Sequence, residues 1–454
     1  MNTNLTVQVI SLVLLSLSIL FGLGRWRHLN LVDLYFLIVI IFFGLYGFID
    51  ALLNDLKFYD PVVFAFIITW IILLAIITWA IWHIFPAKNI QALNLRYLFF
   101  LCERTDGSVI LIIFGCILAL TIISFYKFGV ISRINFAELE QFNIVLPYWF
   151  TSTKGFVKSS LLCVFIASVA KSAVKMKWKR VFWTSVAILA FALTATYGRR
   201  DALILVFLFI IFKFIRSKKN LLIAKNIILV LVSILLMFGF SNLFQNTRRM
   251  LSSSAGSLRS LASGKNLINY TLDADATLSN LRNRMVMWKF NYLLFINQEK
   301  AYKVVPYGMC LVKSFENTVP KILWPRKKDY DLDYEIASLY KFQLDDYPSN
   351  NFASAQADFG YLSIIILPLQ MVILFFFLST LIIYRKRNPT FCVLVIGFSL
   401  QYLLNIEQSL TDYFLLLRSI IIIFVSHGIL TFIIKSTKKF GPNHPDIFKK
   451  LVGY

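Results

Sequence analysis

The sequence predicts an all-α polytopic membrane protein of about eleven transmembrane helices, with one long loop subdomain on the outer face. Three observations predict it. Of the 454 residues, 58% are hydrophobic and only 15% charged, and mean hydropathy is +0.72. Apolar runs of about twenty residues, the length that crosses bilayer hydrocarbon, recur along the chain. Basic clusters fall at alternate connections between those runs, as short loops beside membrane spans require.

The expected spans are Leu5–Leu23, Leu31–Asp50, Pro61–Phe85, Gly107–Tyr126, Gly155–Ala173, Val181–Tyr197, Ala202–Ile215, Leu221–Phe240, Tyr361–Tyr384, Phe391–Ile406 and Tyr413–Ile434. The first lacks a charged leader and a small-residue cleavage site, so it reads as a span rather than a signal peptide. Ala202–Ile215 is short for a span. Odd connections carry Arg25 and Arg27, then Lys88, Arg96 and Arg104, then Lys175 to Arg180, Arg216 to Lys219, Arg385 to Arg387 and Lys435 to Lys439. Even connections are acidic or mixed, as at Asp50, Asp55 and Asp60 or Glu138 and Glu140. The expected orientation is therefore N-terminus outside and C-terminus in the cytoplasm.

Four regions follow: residues 1–240 with eight spans, 241–360 as a large extracytoplasmic loop, 361–434 with three spans, and 435–454 as a cytoplasmic tail. A connection of about 120 residues within a compact domain is functional or disordered. This one alternates polar stretches with amphipathic ones such as Met285–Ile296, and carries Pro306, Pro320, Pro325 and Pro348. Its aromatic and apolar content favours a folded cap on the membrane.

The formal net charge of +23 does not imply nucleic acid as a partner, because the bases sit beside spans where they set topology. Cys102, Cys116, Cys163, Cys310 and Cys392 are scattered without metal-ligand or disulfide spacing, and the four histidines are dispersed. No metal or other cofactor is implied. His83 and His427 lie toward cytoplasmic span ends and read as packed or interfacial.

Two places break the charge pattern. Arg199 and Arg200 occupy the outer turn Tyr-Gly-Arg-Arg-Asp, and Arg418 lies about 7 Å inside the last span at 1.5 Å per residue. An Arg facing lipid near the bilayer centre costs about 2.5–3.5 kcal/mol. Adjacent guanidiniums suit a diphosphate, which they grip bidentately without losing charge. The competing reading is structural: an Arg–Asp201 surface pair, and an Arg418 tether to a neighbouring Asp or Asn. Gln401, Asn405, Gln408 and Asp412 recur at steps of four, three and four, on one expected helical face near the outer end. With Arg418 they suggest a polar cavity open to the outside. Arg248 and Arg249 leave the eighth span at the level of Arg199 and are second choices for the same anion. The remaining loop cations, Arg282, Arg284, Lys321, Arg326, Lys327 and Lys328, read singly as solvated. Asp201, Glu316, Asp345, Asp346, Asp358, Glu407 and Asp412 are candidate general bases among which sequence does not choose.

The stretch Val-Pro-Lys-Ile-Leu-Trp-Pro-Arg-Lys-Lys (Val319–Lys328), followed by Ala-Ser-Ala-Gln-Ala-Asp-Phe-Gly (Ala353–Gly360) entering a span, resembles the Wzy-type oligosaccharide repeat-unit (O-antigen) polymerases. The Gly198–Asp201 turn and the late intramembrane Arg418 fit the same resemblance, while Lys328 stands where that stretch usually has proline. The resemblance implies a GT-C-like, metal-independent, inverting membrane glycosyltransferase of the bacterial inner (plasma) membrane, working in lipopolysaccharide or capsule polysaccharide biosynthesis. Its substrate would be undecaprenyl-diphosphate-linked oligosaccharide and its partner a chain-length regulator co-polymerase. Arg199, Arg200 and Arg418 would hold the diphosphate. An O-antigen ligase shares such a cleft, and a lipid-linked oligosaccharide flippase or other transporter is the alternative of another class, although no paired halves or matched helix breaks are visible. A receptor or scaffold would not need an intramembrane Arg.

Overall fold

The structure, a computed structural model, describes residues 3–24, 29–45, 60–127, 148–172, 176–197, 205, 286–300, 305–320, 323–328, 330–341, 350–404 and 410–440. All the elements there are helices, joined by one isolated β-bridge. The chain divides into two compact units. One comprises Met1–Tyr97, Ser279–Tyr384 and Tyr402–Ile422; the other comprises Leu98–Leu278, Arg385–Gln401 and Ile423–Tyr454.

The first unit opens with α1 (Thr3–Gly24), α2 (Leu31–Val39, prolonged by a π-helical stretch Ile40–Leu45) and α3 (Pro61–Ile84). Each start is written locally. Asn30 and Asp33 form a capping box: Asp33 N donates to Asn30 Oδ1 (2.8 Å) and Asn30 N donates to Asp33 Oδ2 (3.0 Å). Asp60 accepts from Val62 N and Val63 N, while Pro61 pre-sets the first helical φ. α3 stops before Pro86, and α4 (Ala87–Ala92) and α5 (Leu95–Arg104) follow. The basic connection holding Lys88 and Arg96 is thus helical, not a loop. Its residues 93–95 pair antiparallel with 29–31, with Leu31 N on Leu93 O and Leu95 N on Leu29 O, both 3.0 Å.

Ring contacts give the helix directions within this unit. α3 and α13 (Ser363–Arg385) touch in the same order, through Phe66 with Tyr361 (5.7 Å), Trp82 with Phe375 (6.0 Å) and Phe85 with Phe376 (5.2 Å). They run parallel. α2 touches that path in reverse, Tyr35 with Phe375 and Phe43 with Phe352, so it runs antiparallel.

Four helices from the expected loop pack together in the same unit: α9 (Val286–Lys300), α10 (Met309–Thr318), α11 (Leu332–Leu339) and α12 (Asn351–Phe359). Their shared core includes Phe290, Leu294, Cys310, Ile336, Ala353 and Ala357. Tyr292 OH accepts from Asp60 N (2.6 Å), and Phe295 meets Trp70 edge-on (5.1 Å), so this cap is seated on the start of α3. α12 continues into α13 through a 3-10 turn, Gly360–Leu362. The ninth expected span therefore starts in helix at Asn351 rather than Tyr361. Gly360 has φ +55°, a conformation that side chains resist, where α12 passes into the 3-10 turn.

The second unit begins within α5, at Leu98, and its α6 (Gly107–Lys127) turns 87° from α5. α7 (Tyr148–Ser172), α8 (Lys177–Tyr197) and α14 (Pro389–Leu404) complete its ordered helices, and α15 (Leu410–Phe440) passes from the first unit into this one. α7 and α14 touch in reverse order. Ser159 Oγ donates to Gln401 Oε1, and a Cβ on Gly397 would lie 3.1 Å from Cys163 Cα and closer still to its Sγ. Small residues let the two backbones approach, as in membrane bundles.

Among the described residues, two helices are long and apolar enough to cross a membrane, Val62–Ile84 and Asn351–Arg385, and a third if the bent pair Leu95–Arg104 and Gly107–Ile123 is one span. Shorter apolar helices are Ile10–Ile19, Leu31–Leu45, Ser159–Ser172 and Pro389–Leu403. The expected span Tyr413–Ile434 lies within α15. Leu221–Phe240, and all of Ala202–Ile215 but Leu205, fall outside the described residues.

Candidate functional site

The site grows from α10. Ten residues are too few for a helix to hold itself, so its end groups decide whether it forms. At its start, Cys310 N and Leu311 N donate to the two carboxylate oxygens of Asp358 (2.8 and 2.9 Å). Asp358 ends α12 and is fully buried. A negative group at a helix start also meets the positive end of the peptide dipoles.

The far end of α10 collects cations. Lys327 Nζ donates to Asn317 O (2.7 Å) and Glu316 O (3.3 Å). Arg418 Nη1 donates to Thr318 O (2.7 Å). Three successive carbonyls are thus held by two positive side chains, with Glu316 O also accepting from Val319 N (3.2 Å). The segment between is folded onto the same end. Leu323 N and Trp324 N turn back to Pro320 O, and the Asn317 side chain clamps both backbone groups of Tyr330. Lys313 pairs with Glu335 and lies over the Tyr330 ring.

Arg418 is half-buried, and Thr318 O is its hydrogen-bond partner among the described residues; a guanidinium has four further N–H donors. Asp412, in the first turn of α15, and Arg418 both act electrostatically on Tyr402. The ring of Phe414 meets Phe315 edge-on (5.9 Å).

Of the expected polar stripe, Gln401 lies in α14 and Asp412 in α15, and residues 405–409 between them lie outside the described residues. Gln401 is buried on Ser159 in the second unit, whereas Asp412 stands with Arg418 and Tyr402 in the first. Asn405 and Gln408 lie outside the described residues, as do Arg199, Arg200, Arg248 and Arg249. Two expectations change. Lys327 is not solvated but turned onto α10, and Asp358 is a buried cap rather than an accessible base. His83 is packed, its Nδ1 on Trp79 O (2.8 Å) and its ring 4.2 Å from the indole. Among the described residues, no group of three His, Cys, Asp or Glu side chains is placed to hold a metal ion.

What sequence reasoning missed is that Arg418, on Thr318 O across 100 residues of chain, and Lys327 of the Val319–Lys328 stretch meet the same end of α10. Both were singled out separately; no local pattern pairs them. No family model matches the chain, and no curated protein or solved structure matches it.

Proposed function

We propose that this protein is an integral-membrane oligosaccharide repeat-unit polymerase, facing the outside of a bacterial plasma membrane through its cap. It would transfer a growing glycan from undecaprenyl diphosphate to a fresh lipid-linked repeat unit, with a chain-length regulator as partner. One observation carries the reading. The cation inside an apolar helix, Arg418, and Lys327 of the Leu-Trp-Pro-Arg-Lys-Lys stretch of the cap converge on one helix end. An anionic lipid at a membrane boundary needs such a place, where fixed cations stand at the edge of low dielectric. Eleven spans with the N-terminus outside remain the arrangement that best fits the loop charges. The antiparallel α2 beside parallel α3 and α13 agrees with that alternation.

In the reaction an acceptor hydroxyl oxygen attacks C1 of the carrier-linked sugar. The C1–O bond to phosphate breaks, its electron pair stays on the departing diphosphate, and the hydroxyl proton passes to a carboxylate. Guanidiniums stabilise the developing charge; Arg418, Arg199 and Arg200 are assigned that part, and Asp412, in the first turn of α15, is assigned the proton. Arg248 and Arg249 assist in binding.

The test is a glycan ladder from a deletion strain complemented with variants. Arg418→Lys keeps a donor for Thr318 O but loses the fork, so the protein should accumulate while long chains disappear and one repeat unit remains. Arg199→Lys and Arg200→Lys should act likewise. Wild-type chain lengths in all three variants sink the proposal, and loss of every capped form in the deletion strain points to ligation or flipping instead.

A further inference from the structure

The structure assigns α10 from Val312, with Leu323–Lys328 beyond its end, as a wedge that enters the outer leaflet and takes anionic phospholipid as its partner. The inference rests on the membrane reading above, not on the reaction.

The first argument is direction. α10 meets α15 at Phe315 with Phe414 and then at Thr318 with Arg418, the same order along both helices. The two therefore run parallel, so on the membrane reading the end of α10 beside Arg418 is its deeper end. The turn at Pro320 keeps Leu323 and Trp324 at that deep end, because Lys327 and Tyr330 are tied back to residues 316 and 317.

The second argument is polarity. A helix on a protein surface in water buries its apolar face. From Val312 onward α10 does the reverse. Its buried side carries Cys310, Ser314 and Thr318, while Val312 and Phe315 are exposed, and beyond its end Leu323 and Trp324 are exposed too. Apolar groups outward and hydroxyls inward suit acyl chains, not solvent.

The third is charge. Arg326 and Lys328, both exposed, flank the apolar tip directly, whereas Lys327 between them is turned inward. An apolar end with an indole and two adjacent cations is complementary to a leaflet whose phosphates lie just above its chains.

The test reads depth in the full chain, reconstituted in nanodiscs of phosphatidylethanolamine and phosphatidylglycerol. With exposed Cys116 changed to Ser and the four other cysteines buried, a nitroxide is placed by Leu323→Cys or by Tyr307→Cys. The two positions are equally exposed, 75% and 73%, but sit beyond opposite ends of α10. The ratio of collisions with oxygen to collisions with an aqueous nickel chelate should be several-fold higher at 323 than at 307. It should fall at 323 when Arg326→Gln and Lys328→Gln are combined. Equal ratios at the two positions overturn the proposal, as does a label at 323 shielded from both reagents, which would mean that protein covers the tip. A ratio at 323 unmoved by the double substitution removes the anionic partner. None of these readings depends on glycan polymerisation.

Discussion

The two ends of the first unit solve the same problem differently. Where residues 29–31 meet 93–95, polar groups are satisfied by their neighbours: the Asn30–Asp33 box, two backbone hydrogen bonds, Asn89 Nδ2 on Ser379 Oγ (2.9 Å) and Trp79 Nε1 on Asp33 Oδ1 (2.9 Å). Asp33 is the lone charged group in this set. At the cap end, full charges are set on the two ends of one short helix, Asp358 at its start and Lys327 with Arg418 at its finish. The contrast teaches that α10 is held by ion–dipole contacts from distant chain rather than by its own sequence. Such a helix is sensitive to single charges, and the same charges are positioned for a ligand.

The largest test of that contrast is Asp358→Ala. It leaves two buried N–H donors without their acceptor, a loss on the order of 3 kcal/mol. The thermal midpoint of the full chain in detergent should drop clearly, and Asp358→Asn should recover part of it. An unchanged midpoint would place the stability of α10 elsewhere. Arg418→Met comes next, at about 2 kcal/mol, since it strips a charged donor from Thr318 O. In the same measurement, Arg418→Lys should restore most of the loss without restoring chain length on the glycan ladder. At the opposite end, Asn30→Ala removes half of a capping box and should cost about 1 kcal/mol. A larger loss there than at Asp358 would reverse the ranking of the two ends.

Legibility followed locality. Asn30 before Leu31, Asp60 before Pro61 and Asn350 before α12 all announce their helices within four residues, and the described helices lie near the expected spans. α4 and α5 were not visible as helices, because their short amphipathic pattern is interrupted by Leu93 and Asn94. The early start of the ninth helix was hidden by small and polar residues, Ala353 to Asp358, which read as loop until packing buries them. Lys327 and Asp358 could not have been assigned from sequence at all, because each is defined by carbonyls or amides that only the fold presents.

The finest test separates the two cations that share one helix end. Lys327 approaches from a half-exposed position with a flexible ammonium, and Asn317 O and Glu316 O are its acceptors. Its contribution is a screened interaction with the helix terminus, about 0.5 kcal/mol, so Lys327→Met should lower the thermal midpoint only slightly. Salt distinguishes it from Arg418. Exposed charge pairs weaken once the screening length falls to a few ångströms, whereas a guanidinium at the edge of an apolar phase, as the membrane reading has it, is screened less. The gap between wild type and Lys327→Met should therefore close as salt rises toward about 1 M. The gap for Arg418→Met should persist. If both gaps close together, the two cations stand in the same solvent, and the end of α10 lies at an aqueous surface rather than at the edge of an apolar phase.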